Sequence, residues 1–390
     1  MTRSTRSHLD DLRGATHLAV EATRGVIGLV QAMHRVIASG PGVIGSPLEG
    51  PATLLTDLVY APIRGVTDAV ALGIDAALDL LTPLLGESTP GLQREAVQAA
   101  INGVLGDYLE STRNPLSITP RFRRGGVPLV PSALEGASSR LLVLVHGSCM
   151  NDLQWRRNGH DHGASLEAKL GYTAVYWHYN SGLNISTNGH ALAAQLEALV
   201  AAWPTEVREV ALLGHSMGGL IARSACHYGA ESRWRSKLRK LACIGSPHHG
   251  APLERGGNWV DVLLGVSRYS APLAKLGQIR SAGVTDLRFG NVLDEHWAGR
   301  DRFELELEPH RGLPLPRGVD CYAIAATKSA SSGDMLKSDG MVPVASGLGQ
   351  HERPELCLDF PEEHRLVVYR TDHLGLLDCA EAYDALGRWL

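Results

Sequence analysis

The sequence predicts an α/β protein, a mostly parallel sheet with helices on both faces, and three observations carry that expectation. Six short apolar runs recur along the chain: LLVLVHG (141–147), YTAVYWHYNSG (172–182), EVALLGHS (209–216), KLACIGSP (240–247), CYAIAAT (321–327) and HRLVVYR (364–370). They are apolar on both faces rather than alternating, as strands buried on both sides must be. Stretches with helical apolar spacing separate them at about 163–170, 188–202, 217–229 and 378–389, and this alternation favours parallel neighbours. The third observation is size: 390 residues, 44% apolar, suffice for one large core plus an appendage.

Charge narrows the function classes. The 41 acidic and 37 basic residues nearly cancel, for a net charge of -4, so no global field draws the chain to nucleic acid or to an anionic membrane. Asp10, Asp11 and Arg13 interrupt the N-terminus, which therefore lacks the apolar segment of a secretory signal. No run of eighteen apolar residues suggests a membrane span. A cytoplasmic protein is expected. The six cysteines form no dense disulfide framework, and Cys226, Cys243 and Cys321 fall inside expected core elements. Neither CxxC pairs nor His-rich ligand spacing occurs, so neither metal nor cofactor is expected.

Residues 1–113 read as a helical N-terminal segment, with Leu18, Val26, Leu29, Val30, Met33 and Ile37 on one face of a first helix and a second helix at about 57–85. The fragments TRGVIGLV and IRGVTDAV, forty residues apart, hint at a helical duplication too short for a solenoid. From Asn114 the composition turns to proline, arginine and glycine, so 114–134 reads as a linker or extended arm. The α/β domain is expected over 135–390. The interval at about 250–315 is long for a connection after a late strand, and is expected to be a lid or cap over the sheet's C-terminal edge.

The chemistry centres on GHSMGG (214–219). An apolar strand precedes it and a helical pattern, LIARSACHYGA, follows, which is the context that gives a G-x-S-x-G pattern its meaning. Small neighbours at Gly214 and Gly218 let the chain turn sharply and hold Ser216 out in a strained conformation. The helix opening at Met217 points free N–H groups toward a developing oxyanion. A serine hydroxyl needs a base. In the order Ser, acid, His, the acid belongs after a late strand and the histidine after the last. Those positions hold Asp339, in SDGMVPVASG, and His373, in TDHLGLL; Asp334 and Asp372 are rival acids. The oxyanion donors are expected at the backbone N–H of Met217 and of Ser148, in HGSCMND after the first apolar run. Cys149 offers a competing thiol but has no such turn to aim it. His215 is expected to pack or hydrogen-bond on the far side of the turn, and His364 to be structural.

With LVLVHGSCM, LLGHSMGGL, IGSPHHGAP, SDGMVPVAS and DHLGLL in this order, residues 135–390 resemble the α/β-hydrolase superfamily of serine esterases and lipases. GSPHHGAP (245–252) is similar to a stretch of bacterial lipases and of the GPI inositol-deacylase-like branch. The resemblance implies Ser216 as nucleophile, His373 as general base and then acid, and Asp339 as the group that orients the imidazole. It implies a carboxylic ester as substrate, small or lipidic, and no cofactor. One lipase subgroup binds calcium through an aspartate two residues after the histidine; Gly375 stands there, so no such site is expected. The apolar residues Trp259, Val260, Leu263 and Leu264 suggest a medium or long acyl chain. Acyl transfer or amide hydrolysis by the same triad remains open. So does a membrane-surface or oligomer-forming module, carried by the N-terminal helices beside a vestigial hydrolase domain.

Overall fold

The structure is a computed structural model that describes residues 13–14, 16–17, 92–250, 281–300, 312–330 and 338–390. The expected helices before residue 92, the apolar stretch 259–264 of the expected cap, and Asp334 lie outside the described residues. Leu92–Ser111 and Ser117–Leu390 form one compact unit. The other described residues fall in a second unit, where Asn114 donates to the Gly14 carbonyl at 3.1 Å.

Eight strands build one sheet: β1 (Arg121–Arg124), β2 (Val127–Pro128), β3 (Arg140–Val145), β4 (Thr173–His178), β5 (Glu209–His215), β6 (Leu238–Ile244), β7 (Asp320–Ala326) and β8 (Arg365–Val368). Their spatial order is β2-β1-β4-β3-β5-β6-β7-β8. Neighbours from β4 to β8 are parallel, whereas β1 is antiparallel to β4 and to β2. The chain leaves β3 toward β4 on one side and leaves β5 toward β6 on the other. A crevice therefore opens between the carboxyl ends of β3 and β5, where open parallel sheets bind their ligands.

The helices are α1 (Leu92–Ser111), α2 (His162–Leu170), α3 (Ile185–Ala201), α4 (Met217–Tyr228), α5 (Arg233–Lys237), α6 (Ala282–Phe289), α7 (Val344–Gly347) and α8 (Ala380–Trp389). Successive strand residues feed opposite cores. Leu141, Val143, Val145, Val210 and Leu212 pack with Leu192 and Leu196 of α3 and with Leu220 and Ile221 of α4. Leu142, Leu144, Ala211 and Leu213 pack with Leu166 of α2 and with Ala382 and Leu386 of α8. Each such leucine, fully buried, contributes roughly 1.5–3 kcal/mol. This two-sided burial is why the strands read as unbroken apolar runs.

The stretch expected as a linker or extended arm, 114–134, holds β1 and β2, which pair into the sheet. RFRR has no apolar alternation to mark it, because its inward cation is neutralised rather than replaced by a hydrophobe. Phe122 joins the core, and the buried Arg123 guanidinium reaches Glu95 at 2.8 Å and Asp152 at 3.0 Å. Likewise α1, which falls within the expected N-terminal segment, belongs to the unit of the sheet.

Candidate active site

The turn that carries Ser216 is built by close packing at the end of β5. Ser216 has φ 54° and ψ -123°, a left-handed backbone that a residue with a Cβ adopts only under constraint. The constraint is visible on both sides. A Cβ at Gly214 would lie 2.4 Å from the Gly219 nitrogen, and one at Gly218 2.1 Å from the Val145 carbonyl oxygen. Ser216 N–H donates to the Ile244 carbonyl at 2.9 Å, which ties the turn to β6.

His373, in the loop after β8, and Asp339, in the loop after β7, meet. His373 Nδ1 lies 2.7 Å from Asp339 Oδ2, and both side chains are buried. The other carboxylate oxygen, Oδ1, accepts the Met341 and Val342 amides at 2.8 and 2.7 Å, in a turn that passes through Gly340 at φ 102°. The His373 amide also donates to the Asp339 carbonyl at 3.2 Å. The rival Asp372 is occupied elsewhere, accepting the Gly375 amide at 2.7 Å.

Two glycines mark close approaches around His373 and Ser216. A Cβ on Gly245, the residue after Ile244, would lie 3.1 Å from His373 Cε1. A Cβ on Gly147, in the loop after β3, would lie 3.1 Å from Ser216 Cβ. Ser148 follows directly in that loop. Met217 occupies the first helical position of α4, where an amide has no intrahelical acceptor. The three side chains and the two expected donors thus come from loops at one edge of the sheet.

Burial keeps the neighbouring titratable groups neutral. It pushes the Cys149 thiol up to about 12, so no thiolate competes with the serine; the Cys149 amide is spent on Ser181 Oγ at 3.0 Å. It pulls His146 down to about 3, and that ring stacks on Tyr179 with centroids 4.2 Å apart. His215 is held well below its ordinary value, by burial first and by His373 second.

Two parts of the site escape sequence reasoning. His215 Nε2 lies 3.2 Å from the His373 carbonyl, so of the two expected alternatives it hydrogen-bonds; that its partner is the loop of His373, 158 residues away, is what the sequence does not show. The second part is a roof. In α1, a Cβ on Gly103 would lie 2.2 Å from Cys149 Sγ, and one on Gly106 1.9 Å from Asn180 Oδ1. Asn180 in turn donates to the Gly106 carbonyl at 2.9 Å. In α6, within the expected cap, Ser281 Oγ donates to the Gly103 carbonyl at 2.6 Å, and a Cβ on Gly283 would lie 2.2 Å from the Ser181 carbonyl. The small residues Ala96, Ala99, Gly103 and Gly106 on one face of α1 were the available signal for this close approach.

The chain has the α/β-hydrolase fold, and residues 137–304 match the family model of the PGAP1-like alpha/beta domain. The matched stretch contains Ser148, Ser216 and Met217 and ends before Asp339 and His373. Among solved structures, the chain is similar to the mature lipase BlEst2 of Bacillus licheniformis: 20% identity over 61% of this chain and 86% of that one, TM-score 0.39. The product of gene lin2722 from Listeria innocua is 16% identical over 64% of this chain and 92% of that one, TM-score 0.34. Phospholipase PlaB from Legionella pneumophila is 16% identical over 53% and 45%, TM-score 0.36. At such identities and scores, the substrates of these proteins do not carry over. No curated protein matches the chain significantly.

Proposed function

We propose that the protein is a serine hydrolase of carboxylic esters that works through an acyl-enzyme on Ser216. The observation that carries this reading is the 2.7 Å contact between His373 Nδ1 and Asp339 Oδ2, beside a serine held at φ 54°. With Nδ1–H donated to the carboxylate, the neutral imidazole keeps Nε2 free to accept the serine proton. Ser216 Oγ attacks the acyl carbonyl, the proton passes to His373, and the backbone N–H groups of Met217 and Ser148 stabilise the tetrahedral oxyanion. His373 then protonates the leaving alcohol, and water repeats the two steps on the acyl-enzyme. A medium or long acyl chain fits the apolar residues at 259–264.

A fluorophosphonate probe, followed by mapping of the labelled peptide, tests the assignment. Label is expected on Ser216 alone, and Ser216→Ala is expected to abolish turnover of p-nitrophenyl esters while the far-UV circular dichroism stays unchanged. Retained turnover in that variant overturns the reading. A series from acetyl to decanoyl esters tests the chain length, and a preference for acetyl removes the lipase half of the proposal.

A further inference from the structure

A histidine with no part in the proton transfers stands at the start of the loop after β3. His146 is fully buried, and its Nδ1 lies 2.9 Å from the carbonyl oxygen of the next residue, Gly147. A carbonyl only accepts, so the proton sits on Nδ1 and Nε2 keeps a lone pair. That Nε2 is buried without a partner. Burial, which lowers its pKa to about 3, holds the ring neutral with Nδ1–H as its one donor.

Such a ring is a poor filler of a core. A phenylalanine of nearly the same shape would occupy the space without burying an unpaired acceptor, which costs stability. What phenylalanine lacks is the N–H that meets Gly147.

The Gly147 carbonyl and the Ser148 N–H belong to one planar peptide unit, which is trans, so the two groups point in opposite directions. Whatever fixes the carbonyl therefore aims the N–H. A glycine leaves the rotation of this unit loosely restrained, and no side chain can stand there, since a Cβ would lie 3.1 Å from both Ser216 Cβ and His215 Nδ1. The restraint has to come from a neighbour, and His146 supplies it. The next peptide unit is held from the other side, where the Cys149 amide donates to Ser181 Oγ at 3.0 Å. Between these two anchors, no backbone acceptor among the described residues takes the Ser148 N–H.

The ring is itself held in place. Tyr179 stacks on it with centroids 4.2 Å apart, donates its hydroxyl to the His146 carbonyl at 2.7 Å, and stacks in turn on Trp177 at 4.5 Å.

We propose that His146 is a positioning residue for the oxyanion: its Nδ1–H locks the Gly147–Ser148 peptide with the Ser148 N–H turned toward the acyl carbonyl of the substrate. This role rests on the ester reading above and adds to it the group that aims the second donor. A locked donor is already oriented when charge develops on the substrate oxygen, whereas a rotating one has to be ordered in the transition state. Its loss therefore falls on kcat more than on KM.

The test compares substitutions at residue 146 of the full chain on a p-nitrophenyl ester and on the matching thionoester, whose sulfur accepts hydrogen bonds weakly. His146→Phe keeps the ring and removes the donor. A fall in ester kcat of about tenfold or more is expected, with KM within about twofold, a thionoester rate lowered by less than about threefold, and an unfolding midpoint no lower than that of the wild type. His146→Asn puts its Nδ2 where Nδ1 stood and is expected to restore most of the ester kcat; His146→Gln, whose amide extends to the place of Nε2, is expected not to. Where His146→Phe does not fold, Asn against Gln makes the same comparison. Ester kcat at the wild-type level in folded His146→Phe, equal losses on ester and thionoester, or His146→Asn no better than His146→Gln overturns the proposal. If the wild type takes the fluorophosphonate label and turns over the ester, any of these results leaves the ester reading standing. A wild type that does neither fails that reading, and this role falls with it.

Discussion

The two oxygens of Asp339 have different tasks, and an amide can perform only one of them. In Asp339→Asn, the remaining oxygen can still accept the Met341 and Val342 amides, which leaves the NH2 group facing His373 Nδ1. The imidazole must then present Nδ1 as acceptor and carry its proton on Nε2, where it cannot take one from Ser216. A fall in kcat of about a thousand- to ten-thousand-fold is expected, with an unchanged unfolding midpoint. Retention of a tenth of the activity would remove Asp339 from its role. At this scale Ser216 was legible because its glycines answer a steric demand that local sequence displays. Arg223 was not: inside LIARSACHY it is one polar residue on an apolar helix, and only the fold shows it buried, facing His248 and donating to the Leu313 carbonyl.

Among the elements, the strands buried on both faces announced themselves, since every position of such a strand is apolar. β1 did not, because Glu95 and Asp152, both distant in sequence, neutralise its Arg123. Helix α1 shows periodic small residues whose purpose depends on what they touch. With Cys149 Sγ where a Gly103 side chain would stand, Gly103→Ala must push the loop that carries Ser148. A destabilisation of about 1–3 kcal/mol is expected, together with a fall in kcat of at least tenfold at temperatures where the variant is folded. Loss of stability with kcat intact would show that the helix supports the fold without bearing on the catalytic use of the loop after β3.

For the molecule as a whole, one buried carboxyl sets a pH dependence. Asp286, on α6, accepts from Ile185 N–H at 2.8 Å and from Asn184 Nδ2 at 3.0 Å, at the start of α3, and from Asn291 Nδ2 at 2.9 Å. Desolvation outweighs these bonds and raises its pKa from 3.8 to about 6. Between those values the folded chain binds a proton that the unfolded chain has released. Its contribution is therefore full below about pH 4 and is lost as pH rises through 6, a change of roughly 3 kcal/mol. Urea midpoints at pH 4, 5, 6 and 7 should lose this downward slope in Asp286→Asn; an identical slope in both proteins rules the residue out as its source.

The packing of Gly103 and Gly106 against the loops after β3 and β4 also bears on where the molecule can be divided. The portion counted from the first parallel strand leaves out a helix of the same compact unit. A truncation beginning at residue 135 would strip away a neighbour that seals Cys149 and Asn180 from water, leaving backbone and amide groups bare on the rim of the crevice. A fragment that keeps this packing intact starts upstream of the sheet, at about residue 92.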